Sequence, residues 1–309
     1  MEKKKSIWKS KEKINNLNGI VRVMDVKITN IYSNVGQPEK NLKGDHGNSF
    51  LIEFGSEKIL FDLGWKGDIL LHNLNELKIN ADEISKIIFS HGHMDHTKAL
   101  PAFLKLRDPG KKITIIGHPR IMEKKKAKMF GLRLIKIGFP KLSKIMKSMI
   151  NFQFSKEPIK INEFLTFTGE ISERPDKDGT HKRMLHNNNG VWESDPLLDD
   201  ASLVLETRDG LVIIGGCMHT GILNTCRFVH NLFNGKKIIA IIGGTHMVGF
   251  NEEEVEYVAK ELEEKYGTPK LHLNHCTGEK AIKQLNGIFG SEIVLPCLVG
   301  TFFTYECQN

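Results

Sequence analysis

Ser90-His91-Gly92-His93-Met94-Asp95-His96-Thr97 decides the fold of this chain. Three imidazoles and a carboxylate fall within six residues, and that many polar groups are costly to bury unless a metal or strong partners satisfy them. In an extended turn, His91 and His93 present to one side and can share one ion. Asp95 and His96 follow where the chain enters a helix, within reach of a second ion. Imidazole with carboxylate suits zinc, with manganese or iron as alternatives. The run follows Lys86-Ile87-Ile88-Phe89, a short apolar segment that reads as a buried strand delivering its carboxyl end to His91.

Upstream, Val21 to Ile31, Ser49 to Phe54 and Lys58 to Asp62 read as strands, separated by turns at Gly36-Gln37-Pro38 and Gly55-Ser56-Glu57. Helical spacing over Asp68 to Asn80 and Lys98 to Leu106, with a strand at Lys112 to Ile116, completes an α/β alternation. A second β-rich half follows, with strands at Phe164 to Thr168, Ser202 to Thr207, Leu211 to Gly215, Lys237 to Ile242 and Leu271 to Asn274. Its helices are expected over Leu223 to Leu232 and Glu252 to Tyr266. The two halves read as sheets facing each other. Residues 1–18 are lysine-rich without apolar periodicity and read as a flexible basic arm before a main domain over 19–309. Residues of about 120–150 read as a basic helical insertion, a lid candidate, with Met122, Met129, Met146 and Met149 along it. The polar stretch Arg174 to Asp200 reads as a long loop.

With 309 residues, 40% hydrophobic and 26% charged, the chain can bury a core without disulfides. No apolar run reaches a membrane span, and no apolar segment follows the basic start, which points to the cytoplasm. Cys217, Cys226, Cys276, Cys297 and Cys307 are too scattered for a disulfide framework and read as reduced thiols. The net charge of +7 is local: nine basic residues lie between Glu123 and Lys147. Such a field favours anionic partners, although a solvated basic face gives the same pattern.

The spacing His91-x-His93-x-Asp95-His96 after a buried strand resembles the metallo-β-lactamase superfamily, over about Val21 to Phe303. The resemblance implies a four-layer αββα sandwich. Leu60-Phe61-Asp62-Leu63-Gly64 is similar to the family's first motif, which implies that Asp62 orients metal ligands by hydrogen bonding. The remaining ligands then come from strand ends: His219 beside His91 and His93 at one metal, and His275 beside Asp95 and His96 at the other. Gly216-Cys217 stands where many members carry a bridging aspartate. The thiol is a soft ligand there, or water alone bridges, or one metal is held loosely, or Cys217 simply packs.

Two divalent cations sharing a water lower its pKa and polarise a carbonyl or phosphoryl oxygen, with Asp95 steering the water. Flavodiiron relatives typically carry Glu where His93 stands, so the resemblance implies hydrolysis rather than oxygen chemistry. Asp45-His46-Gly47-Asn48-Ser49, Phe167-Thr168-Gly169-Glu170, Asp199-Asp200-Ala201-Ser202, Gly216-Cys217-Met218-His219 and His275-Cys276-Thr277-Gly278 occur in order. They resemble the branch of metal-dependent hydrolases of β-lactamase superfamily II, which includes the dihydropterin–ribofuranosylaminobenzene 5'-phosphate synthases. That branch implies either a hydrolase acting on an anionic, phosphate-bearing small molecule or a transferase releasing pyrophosphate. Nucleic-acid processing fits the basic segment, but no nuclease arm or aromatic interleaving accompanies it, so nucleic acid is disfavoured. A metal-dependent sensor is the non-enzymatic reading. His46 and His246 are candidate substrate contacts, the latter beside Gly243-Gly244, whose amides approach an anion in this reading. His181 and His186 read as solvated.

Overall fold

The computed structural model describes residues 11–14, 20–128 and 133–308. Three apolar clusters stack its layers. In the first, Val26, Ile28, Phe50, Ile52 and Phe61 of one sheet interdigitate with Leu165, Leu203, Val212, Ile214 and Ile242 of another. In the second, Leu70, Leu74, Leu100 and Phe103 seal helices Gly67–Glu76 and Leu100–Leu106 onto the outer face of the first sheet. In the third, Ile222, Val229, Val258, Leu262 and Leu285 do the same for helices Ile222–Leu232, Glu252–Tyr266 and Glu279–Phe289 on the second. Strand residues alternate between these clusters, Ile28 and Ile52 facing the partner sheet while Leu51 and Leu60 face the helices. The result is a four-layer αββα sandwich.

Each sheet changes from antiparallel to parallel along its width. In the first, Ile20–Tyr32, Ser49–Phe54 and Glu57–Phe61 form a meander, after which Ile84–Ile88, Ile113–Gly117 and Ile150–Phe154 add in parallel. In the second, Leu165–Phe167, Ser202–Glu206 and Leu211–Gly215 are antiparallel, and Ile238–Gly243, Lys270–Leu273 and Val294–Pro296 continue in parallel. Asp62, the run His91 to His96, His219, His246 and His275 each follow a strand with a parallel neighbour. Carboxyl ends of parallel strands are where open α/β sheets present loops to a crevice.

The structure corrects several expectations. Among its described residues the basic segment of about 120–150 is mostly not helical: Lys125–Lys128 and Leu134–Lys136 pair antiparallel, and Lys144–Ser148 is the one α-helix. The stretch expected as a loop supplies a second partner for Lys125–Lys128, the strand Met184–Asn188, which forms a hairpin with Val191–Ser194. Long-range strand pairing here overrides a lysine-rich pattern that suits a helix equally well. Met149 is buried in the core under the first sheet and Met146 packs against it, so these methionines fill core. Met129 lies outside the described residues, as do residues 1–10 and 15–19 of the basic arm, while Lys11–Ile14 is a strand paired with Ile20–Val23. His186 is buried rather than solvated, 3.1 Å from Glu123 and 3.2 Å from Glu193, and Arg120 donates to it. No helix among the described residues is long and apolar enough to cross a membrane.

Candidate metal centre

Asp62 follows the strand Glu57–Phe61 in the left-handed region at φ 60° and is 1% exposed. Its Oδ1 accepts the Ser90 amide at 2.8 Å, and its Oδ2 accepts both the Ser90 hydroxyl at 2.7 Å and His96 Nδ1 at 2.6 Å. Because the Ser90 hydroxyl donates to Asp62, its oxygen accepts from His91 Nδ1 at 2.9 Å. One carboxylate therefore orients His96 directly and His91 through Ser90.

The same logic repeats on the other sheet. His219 Nδ1 donates to the Gly179 carbonyl at 3.3 Å, and His275 Nδ1 donates to Asn34 Oδ1 at 2.8 Å. Each of these four histidines commits its Nδ1 proton to a neighbour, which makes Nε2 the nitrogen it can offer an ion. Second partners of this kind fix the tautomer of metal-binding histidines. His93 is reversed, its Nδ1 lying 3.0 Å from His91 Nε2. Nε2 of His93 and His219 is buried without a hydrogen-bond partner. Orphaned buried nitrogens are rare enough to call for a missing partner.

Two groups result. The rings of His91, His93 and His219 lie 4.6 to 5.0 Å apart, centroid to centroid. Asp95, His96 and His275 gather beside them, with Asp95 Oδ2 at 3.6 Å from His96 Nε2 and 3.3 Å from His275 Nε2. Ligand atoms of Asp95, His96, His275 and Cys217 all lie within 4.8 Å of one another, and so do those of His91, His219 and Cys217. The donor set, imidazole nitrogen with carboxylate oxygen and a thiol, fits zinc or a similar ion.

Electrostatics differ between the groups. Burial pushes His91 and His219 well below the ordinary histidine range, with neighbouring imidazoles adding to it, and brings His93 to about 4. Burial opposes charge on His96 too, but Asp62 and Asp95 overcome it and hold His96 at about 9. Burial likewise opposes ionisation of Asp95, yet His96, His275 and His46 around it hold its carboxyl well below the usual range. Burial brings His275 to about 4 and pushes the Cys217 thiol up.

His46, half exposed, reaches Asp95 Oδ2 at 3.2 Å and packs at 4.8 Å from the His275 ring. His246 stacks on His219 with centroids 4.1 Å apart. Gly244 does not offer a free amide as expected, since it donates to the Gly216 carbonyl at 3.2 Å, and a Cβ on Gly243 would meet the Gly215 carbonyl. The glycines let strand ends pack closely. Gly216 is constrained for another reason, since a Cβ there would sit 2.1 Å from Ser90 Oγ.

Ser90, Asn34 and Gly179 escaped the sequence reading because hydroxyl, amide and carbonyl groups of this kind occur everywhere. So did Lys125. It is 2% exposed, with Nζ at 2.7 Å from Asp195 and 2.8 Å from Asp199, while the other Asp199 oxygen accepts the Gly92 amide at 2.8 Å. Burial opposes both charges, but the pairing keeps Lys125 raised and Asp199 at about 2. Gly92 also passes so close to Ile121 that a Cβ would meet its carbonyl at 2.4 Å, and the Met94 amide donates to the Ile137 carbonyl at 2.7 Å. The basic segment thus props the metal loop from behind.

The fold and site define an αββα sandwich that gathers a cluster of histidines at its strand ends. Residues 42–218 match the family model of the metallo-beta-lactamase superfamily. A 7,8-dihydropterin-6-methyl-4-(beta-D-ribofuranosyl)-aminobenzene-5'-phosphate synthase of Methanocaldococcus jannaschii is 31% identical over 86% of this chain and 92% of its own. The crystal structure of Tm1679, a metal-dependent hydrolase of the beta-lactamase superfamily, superposes with TM-score 0.73 at 25% identity, covering 90% of this chain and 98% of that one. YhfI from Bacillus subtilis shares the fold at TM-score 0.53 and 15% identity, over 91% and 99%. The chain belongs to the metallo-beta-lactamase superfamily.

Proposed function

We propose that the chain is a metal-dependent hydrolase acting on an anionic, phosphate-bearing small molecule in the cytoplasm. Its ligands are His91, His93 and His219 for one ion and Asp95, His96 and His275 for the other. The observation that carries this reading is the set of four histidines whose Nδ1 protons are committed to Ser90, Asp62, Gly179 and Asn34, which makes Nε2 the atom each can offer a cation. When bound, two divalent ions supply an activated water and polarise the substrate oxygen.

The chain's own groups do the rest. Asp62 and Ser90 fix the ligand rings. Asp95 stays ionised, steers the attacking water by accepting a hydrogen bond, and is itself steadied by His46. His46 and His246 border the two ligand groups and contact the substrate, and the basic segment adds a positive field that draws in anions.

A second reading is a transferase of the dihydropterin–ribofuranosylaminobenzene 5'-phosphate synthase type, which releases pyrophosphate. It is favoured by the 31% identity to a protein of that name. Screening the zinc-loaded protein against phosphomonoesters, phosphodiesters, lactones and thioesters separates the two. Turnover of one of these by water supports the hydrolase. Inertness toward all of them, with pyrophosphate released only when a pterin-methyl diphosphate and an arylamine are both present, supports the transferase. His93→Ala is expected to abolish turnover while the circular dichroism spectrum is retained.

A further inference from the structure

We infer that Cys217 is a shared ligand whose thiolate sulfur bridges the two metal ions, in the place where an aspartate stands in many relatives. The inference rests on the two-metal reading above and adds a residue to it.

Cys217 comes two residues after the strand Leu211–Gly215 and is 2% exposed. A cysteine that merely packs sits among apolar atoms. This one has His96 Nε2 at 3.0 Å from its sulfur. It is also the one residue common to both ligand groups, joining Asp95, His96 and His275 on one side and His91 and His219 on the other. Next to it, Nε2 of His219 is buried and lacks a hydrogen-bond partner, and Nε2 of His275 faces the Asp95 carboxylate at 3.3 Å.

The backbone is shaped to put the sulfur there. Gly216, lacking a Cβ, lets the strand end press onto the Ser90–Asp62 pair. Met218 then adopts a left-handed conformation at φ 45°, and His219 turns back to the same ligand group as Cys217. Strained residues of this kind persist where the surroundings hold them in place, and they cluster at functional sites.

On metal entry the S–H bond breaks, its proton passes to solvent, and two sulfur lone pairs form one bond to each ion. With Asp95, the thiolate brings two negative charges to two dications. A soft bridging sulfur selects zinc or cobalt over manganese or magnesium.

Titration of the metal-free protein with Co(II) tests this. The near-ultraviolet thiolate-to-cobalt band is expected to grow through both equivalents, to vanish in Cys217→Ser and to persist in Cys276→Ser, whose thiol lies beside the Cys217 carbonyl. Cys217→Asp is expected to keep two cobalt ions and lose the band. A band complete at one equivalent, or one surviving in Cys217→Ser, overturns the bridge. Two cobalt ions without any band overturn it while leaving the two-metal reading intact, whereas no cobalt uptake overturns both. Zinc-edge absorption on the unmodified protein needs no variant to fold: one sulfur neighbour per zinc supports the bridge, and one per two zincs contradicts it.

Discussion

The two ligand groups differ in how each balances its charge. His91, His93 and His219 are imidazoles alone, kept neutral by burial, and two of them carry an orphaned nitrogen. Asp95, His96 and His275 are built around a carboxylate, and the pairing of His96 with Asp62 and Asp95 compensates charge internally. The first group therefore gathers neutral nitrogen donors, and the second is an ion-pair cluster in which His96 must give up a proton before it can ligate. The first is expected to bind its ion more tightly. Placement reinforces this, since the first is propped by the buried Lys125–Asp199 pair and the second opens toward half-exposed His46.

The largest expected effect comes from removing the carboxylate that sets the groups apart. Asp95→Asn loses the group that steers water, and kcat is expected to fall about 10²- to 10⁴-fold in steady-state assays. An unchanged kcat would remove Asp95 from the chemistry. Next comes the prop behind the first group. Lys125→Met leaves Asp195 and Asp199 buried without a counter-charge, a loss of about 3–5 kcal/mol in denaturant unfolding. Metal loss confined to the first group should accompany it.

That prop was invisible in the sequence, and the reason is general. The candidate metal loop was legible because its histidines and Asp95 are adjacent and follow a short apolar strand. His219 and His275 were legible because each follows such a strand, so the architecture alone carries them to the crevice. Lys125 finds Asp199 across 74 residues, and in the sequence it is one lysine in a basic run. The run itself was misread as helical because its strand partners lie in the polar stretch around Met184 to Ser194. His186 was misread for the same reason: its acidic partners come from Glu123 and Glu193 on separate strands or turns. The helix Glu279–Phe289 and the strand Phe302–Gln308 also went unassigned. The strand alternates only weakly and gains its place by pairing with Ile20–Tyr32.

Metal-free protein should show the contrast as pH dependence. His93 titrates at about 4 instead of about 6.5, so as pH falls between these values the unfolded chain takes a proton that the folded one refuses. Stability is lost on the acid side, by about 3 kcal/mol from His93 alone. His96 is raised to about 9, so its contribution is complete below about 6.5 and is lost as pH rises through 9. Urea midpoints of the chelated protein should therefore peak near neutrality. His93→Gln should flatten the acid limb and His96→Gln the alkaline one. A profile unaffected by both would break the proposed division of charge.

Smaller effects sharpen the comparison further. Asp62→Asn is expected to weaken metal binding about 10- to 100-fold in both groups, because it orients His96 and, through Ser90, His91. Ser90→Ala should weaken only the first group, at the low end of that range. Competition with a chromophoric chelator reads both.

The metal content of the purified, zinc-equilibrated protein tests the division into two groups most directly. Two ions per chain are expected in the unmodified protein. His93→Ala should retain one, and His275→Ala should retain one, each with an intact circular dichroism spectrum. No bound metal in the unmodified protein, or two ions retained in both variants, would contradict it.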